Sequence, residues 1–314
     1  MANQKIYGLW GLYTMPSRAS GLVDGNPTRL TPPTIEFVER HYLPILSKGG
    51  AGKDGRRIVA LLKPKASRLD LKKSVDPAVE AVGRVLKKRL RMPEREFFYE
   101  HLVEGGPADT TDGRQRQLAS LLEETVDEKS IYWSPATVAD LAKRADGRGE
   151  SWGPLAFYLN RIRITESVLA SSSILFDFLL GSDGQTVKSV ANAIEQQWGG
   201  GIASIDKNSL ADLHSEWSGD EASTGDRWVT IGKALSQGSY LDVIEHLVEQ
   251  NASVMAARGG AAWVEKSRGK LSVRFVDENG RLPSQDELSQ LWRFPYFLDS
   301  LRSVATSLRE KPSA

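Results

Sequence analysis

Apolar and polar positions alternate with helical spacing along most of this chain, and prolines, glycines and capping residues cut the pattern into segments. "DPAVEAVGRVLKKRLRMP" begins with Asp76 as N-cap and Pro77 at the first helical position, and is expected to stop before Pro93. "PEREFFYEHLVEGG" predicts a second helix closed by Gly105-Gly106, and "GRQRQLASLLEETV" a third. "SPATVADLAKRADG" predicts a fourth, with Ser134 as cap and Pro135 first inside. From Gly153 to Gly184 the pattern predicts one long helix or two in near line. The later turns of that segment are apolar all round, as in a helix buried centrally. "QTVKSVANAIEQQWGGG" and "SLADLHSEWSG" predict shorter helices. "DEASTGDRWVTIGKALSQG" and "SYLDVIEHLVEQNASVMAARGG" predict an antiparallel pair joined near Gly238.

The period changes at Gly259. "AAWVEKSRGKLSVRFVDENGRLP" alternates as a strand does and predicts a hairpin turning at Arg268-Gly269. "SQDE", Ser284 to Glu287, has the spacing of a capping box and opens the last helical section, which "FPYFLDSLRSVATSLREK" completes. The expected fold is mainly α: a multi-helix, bundle-like protein in two helical portions, 1–149 and 150–314, with one small β-hairpin near 261–276. The break "ADGRGESWG" marks the expected boundary.

Composition narrows the chemistry. A chain of 314 residues can bury a substantial core, and its 40% hydrophobic and 26% charged content is that of a soluble globular protein. The absence of cysteine removes disulfides, thiolate nucleophiles and cysteine-based zinc sites. His41, His101, His214 and His246 are scattered without ligand spacing, so no metal site is expected, and His246 is expected on a helix surface. The N-terminus lacks the order of a signal peptide and no stretch is long and apolar enough to span a bilayer, which makes the cytoplasm the expected location.

A net charge of +1 conceals a segregation. Lys48 to Met92 holds fourteen Lys and Arg against four acids, a local net of +10. A 100° wheel places Val79, Val82, Leu86 and Leu90 on one face, with Arg84, Lys87, Lys88 and Arg91 opposite. The segment before it adds Lys53, Arg56, Arg57, Lys63, Lys65, Arg68, Lys72 and Lys73. Clustered cations are what a phosphate backbone requires, because neutralising phosphates releases counterions. These twelve side chains are the expected nucleic-acid contacts; an acidic protein surface is the alternative partner.

"KGGAGK", Lys48 to Lys53, resembles the variant phosphate loop of the ParA/MinD-type ATPases. The resemblance implies ATP binding through Lys48, Lys53 and the intervening glycines. Asp54 stands where that loop needs a Mg²⁺-holding hydroxyl, and Gly55 weakens the helix start that should face the anion. A basic surface loop without cofactor is therefore expected, and a diverged phosphate-loop enzyme is kept as the third reading.

"SRASGLVDGNPTRLTPPTIEFVERHYLP" resembles the end of a MarR-like winged helix, in which a recognition helix runs into "GLV", a short wing and "LTP" opening the next helix. "SPATVADLAKRADG" and "GQTVKSVANAIEQQWG" resemble first helices of helix-turn-helix motifs. Tyr7, Trp10, Tyr13 and Arg18 form an aromatic N-terminal segment expected to dock in the core. Glu96, Glu100 and Glu104 recur on one helix without a partner cluster. In "WVEKSRGK" the adjacent Glu265 and Lys266 break the Glu-x-Lys spacing of restriction-type nucleases, so no catalytic residue is assigned.

The expectation is a non-enzymatic accessory subunit that binds nucleic acid, DNA first, through phosphates and works beside protein subunits of the same system. Its domain style resembles accessory proteins of bacterial multi-gene systems such as anti-phage defence. The competing class is an interaction scaffold whose basic patch docks an acidic partner.

Overall fold

The helical segments assort into two units, the first of them discontinuous in sequence: Met1–Asp127 with Phe297–Ala314, and Glu128–Tyr296. A computed structural model of the chain describes residues 14–42, 44, 90–124, 131–205, 210, 222–277, 279–294 and 296–309. The fold is mainly α-helical, as the periodicity predicts.

The first unit begins with α1 (Thr14–Ala19), the hairpin β1 (Val23–Asp24) and β2 (Arg29–Leu30), and α2 (Pro32–His41). Val23 pairs with Leu30 and Asp24 with Arg29. Two residues per strand are too few for alternation to show in sequence, so this second hairpin adds to the one expected. The order of helix, short hairpin and helix is the one that the MarR-like resemblance implies for this stretch alone. After residue 90 come α3 (Met92–Phe98), continued by a π turn over Tyr99–Val103, and α4 (Arg114–Glu123).

The second unit contains α5 (Pro135–Asp146) and α6 (Gly153–Leu180), which pack together. Ser134 caps α5, its hydroxyl accepting from the Thr137 amide at 3.1 Å. The boundary expected at 149/150 is thus a turn inside this unit, because Val138, Leu141, Ala142 and Ala145 of α5 and Leu155, Ala156 and Leu159 of α6 are all buried. The α6 helix is one continuous element of 28 residues. Then follow α7 (Val187–Trp198), α8 (Ala222–Gln237) and α9 (Tyr240–Ala257). The segment "SLADLHSEWSG" lies outside the described residues except for Leu210, which is buried.

The α8–α9 pair turns at Gly238, whose φ of +70° and approach to Gly200 leave no room for a side chain: a Cβ there would meet the Gly200 carbonyl carbon at 2.6 Å. The expected hairpin is β3 (Val264–Ser267) and β4 (Lys270–Val273), antiparallel, with positive φ at Arg268 and Gly269. The Gly184 to Val187 segment runs along β4: the Leu271 amide donates to the Gln185 carbonyl at 2.8 Å and the Val187 amide to the Gly269 carbonyl at 3.1 Å. Short helix α10 (Gln285–Gln290) has the capping box predicted at Ser284 and Glu287.

One core gathers the apolar faces of this unit, including Leu175, Leu179, Val190, Ile194, Trp198, Leu235, Val243, Val264 and Leu271. The Trp198 indole N–H donates to the Pro283 carbonyl at 2.8 Å, so its polar edge is satisfied where its ring is buried. Glu166, fully buried in α6, accepts from the backbone amides of Arg293 and Phe294 and so fixes the chain after α10.

The chain returns to the first unit as α11 (Leu298–Arg309). Val103, Ala119 and Ala305 form a small core there. Arg95 donates to the Ser307 and Leu308 carbonyls at 3.0 and 3.2 Å, at the C-terminal end of α11 where cations are favoured. Arg309 pairs with Glu123 at 2.7 Å, and Glu123 also accepts from Tyr99 at 2.7 Å. Among the described residues no helix is long and apolar enough to cross a membrane.

Candidate nucleic-acid interface

Tyr42, after α2, and Arg91, before α3, stand on either side of most of the basic segment and meet. Proline at the second helical position and glutamate at the third dictate where α3 begins. The Glu94 carboxylate reaches back to the Arg91 amide at 2.6 Å, and Arg91 closes the box with its guanidinium, Nε and Nη2 each 3.1 Å from a Glu94 oxygen. Arg91 also crosses to the other end: Nη1 donates to the His41 carbonyl at 3.3 Å, and the guanidinium lies 5.0 Å from the centre of the Tyr42 ring. The Tyr42 hydroxyl donates to Glu94. Behind this group Phe37 of α2 stacks on Phe97 of α3, ring centres 4.1 Å apart, flanked by His41 and His101.

The electrostatics of this root follow from its burial. Glu94 is 5% exposed. Burial pushes its pKa up, but the hydrogen bonds from Arg91 and Tyr42 together outweigh that and hold the carboxyl at about 2. Burial first, then the hydrogen bond to ionised Glu94, pushes the Tyr42 hydroxyl up to about 12. The hydrogen bond to Glu94 raises the Arg91 guanidinium further. Root and charge are coupled: one buried anion, neutralised by Arg91, joins Tyr42 and Arg91, and the chain between them holds thirteen Lys and Arg against four acids.

Of the twelve expected contact residues, Arg91 is the one described. Lys53, Arg56, Arg57, Lys63, Lys65, Arg68, Lys72, Lys73, Arg84, Lys87 and Lys88 lie outside the described residues, as do Lys48 and the glycines of the phosphate-loop resemblance. Arg91 is not the last member of a helical stripe. It has the extended backbone of an N-cap, φ −76° and ψ 163°, because its amide and side chain both turn to Glu94. Leu90, expected on the buried face of that helix, is also outside any helix and is 37% exposed. Sequence reasoning passed over Glu94 and Tyr42. The Pro93–Glu94 pair is a helix-start signal that identifies Glu94, whereas nothing local to Tyr42 announces its partner 52 residues away.

Elsewhere in the first unit, Arg18 donates to the Gly25 carbonyl at 2.8 Å and to Thr28 Oγ1 at 3.2 Å, pinning the β1–β2 loop. Tyr7, Trp10 and Tyr13 lie outside the described residues. Glu104 pairs with Arg116 at 3.5 Å.

In the second unit Glu265 and Lys266 are divided between different partners, Arg274 and Glu245. His246 sits on α9, 3.6 Å from Glu249, on the surface as expected. A cleft of about 940 Å³ is lined by residues that include Tyr132, Asp177, Asp277, Arg281, Asp286 and Arg293. Its charges are largely used within the fold: Arg293 pairs with Asp177 at 2.8 Å, and Arg281 with Glu287, which also caps α10, at 3.0 Å.

Comparison of the chain with protein-family models, with curated proteins and with solved structures found no match.

Proposed function

We propose that this protein is a non-enzymatic nucleic-acid-binding subunit of a multi-protein system, acting in the cytoplasm and contacting the phosphates of DNA through the cations between Lys53 and Arg91. The observation that supports this reading best is the root at Tyr42, Arg91 and Glu94. It brings together Tyr42 and Arg91, which flank the thirteen cations from Lys48 to Arg89, at one buried carboxylate. Concentrated positive charge attached at a fixed place is suited to a polyanion, whose affinity grows with the number of phosphates neutralised. The protein-facing side of the proposal, docking beside subunits of an anti-phage type of system, rests on domain style.

Fluorescence anisotropy with unrelated duplexes across a salt series tests it. The expected result is sequence-independent binding that loses roughly 10³-fold or more in affinity between 50 and 200 mM salt, as six or more phosphate contacts imply. Binding to an acidic polypeptide in preference to duplex would overturn the reading.

A further inference from the structure

The exposed ribbon β3–β4 of the second unit carries charge that the fold does not use. Its inner positions are anchored: Val264 is 0% and Leu271 2% exposed, both in the core. The Gly184–Val187 segment braces the β4 edge through the Gln185 and Gly269 carbonyls, which holds the ribbon against the unit. Its outward face carries Glu265, Ser267, Lys270 and Ser272, and its turn carries Arg268. Lys266 pairs with Glu245, and Arg274 with Glu265 at 3.9 Å.

Arg268 at the turn, Lys270 beside it and Lys188 in the first turn of α7 are all exposed and form no ion pair among the described residues. They are neighbours, because the Val187 amide donates to the Gly269 carbonyl and Thr186 bridges Lys270. Nearby carboxylates are committed elsewhere: Asp183 accepts the Val273 amide at 2.8 Å, and Glu265 and Glu245 hold the two paired cations. Like charges gathered at a turn repel, and a polyanion removes that cost.

We infer that the tip of this ribbon is a second, independent contact for double-stranded DNA, with Arg268, Lys270 and Lys188 on phosphates. Only the tip can reach a duplex, because the inner face packs on the core and the β4 edge is covered by Gly184–Val187. The helix that precedes the ribbon sets its approach. On α9 the exposed Asp242 and Glu249 repel phosphate, so the duplex meets the tip and the α7 side and not the α9 face. The inference rests on the proposed function only for the class of ligand; its residues and unit are different.

The test uses the full chain with Lys188→Glu, Arg268→Glu and Lys270→Glu combined, and the corresponding triple change to Gln as a milder control of folding. Duplex DNA affinity is expected to fall at least about tenfold with the Glu triple, and the slope of log K against log salt to flatten by roughly 3, about 0.9 per lost phosphate contact. The Gln triple should flatten the slope equally. Either triple leaving affinity and slope unchanged overturns the inference, as does loss of a polyglutamate probe with duplex binding kept. Charge reversal at Arg84, Lys87 and Lys88 separates the two proposals. If that reversal leaves binding intact while the ribbon triples weaken it, the proposed function fails and the ribbon stands. The converse result overturns the ribbon alone.

Discussion

Arg91 lies over the ring of Tyr42, 5.0 Å from its centre, and both side chains hydrogen bond to the buried carboxylate of Glu94. A cationic segment is thereby closed at its base by a contact that spans 50 residues between His41 and Arg91. The charge sits in the segment and the geometry in its root, and each can be altered separately.

Glu94→Ala should loosen the root by about 2 kcal/mol, because it strips charge-assisted hydrogen bonds from Arg91 and Tyr42 together. Hydrogen exchange at the amides of α2 and α3 measures this without assuming that both units unfold as one. Amides of α9, in the other unit, should keep their protection.

The pH dependence of the root has two edges. Glu94 is held at about 2 in the fold and titrates near 4.5 when unfolded, so its contribution is complete above about pH 4.5 and lost as pH falls towards 2. Tyr42 is raised from 10 to about 12. Its contribution is complete below about pH 10 and lost as pH rises through 12. Exchange protection in α2 and α3 should therefore form a plateau between these limits, and Glu94→Gln should remove the acid edge. An acid edge that survives Glu94→Gln belongs to another carboxylate.

Glu166→Ala should destabilise the second unit by about 2–3 kcal/mol, since the amides of Arg293 and Phe294 lose their acceptor and a cavity opens in α6. Chemical denaturation followed through Trp292, adjacent to those amides, reads the change.

Helix starts and turns were legible in the sequence because their causes are local. Ser134, with Pro135 following it, and Ser284, with Glu287 three residues on, cap the helices they announce, and Arg268-Gly269 supplies the positive φ that a tight hairpin needs. The assortment of helices into units was not legible. The face of α11 that carries Ala305 is a generic amphipathic stripe, and only long-range packing assigns it to the unit of Val103 and Ala119. The glycine-rich break at 147–149 looked like a boundary, yet glycine marks a turn whether or not a domain ends there.

For the candidate site, the charge of Lys48–Met92 was visible from composition, and the role of Arg91 was not. A helical wheel treats Arg91 as one more outward cation, whereas its amide and guanidinium both serve Glu94. Reversing its charge along with the segment would therefore mix lost phosphate contact with a broken root, and charge-reversal tests should leave it intact.

The measurement that bears most directly on the central claim is duplex affinity of the full chain with Arg84, Lys87 and Lys88 changed to Glu and Arg91 retained, across salt concentration. The account predicts at least about tenfold weaker binding and a salt slope reduced by roughly 3, with exchange protection of α2 and α3 unchanged. Unaltered affinity and slope in that variant would contradict it.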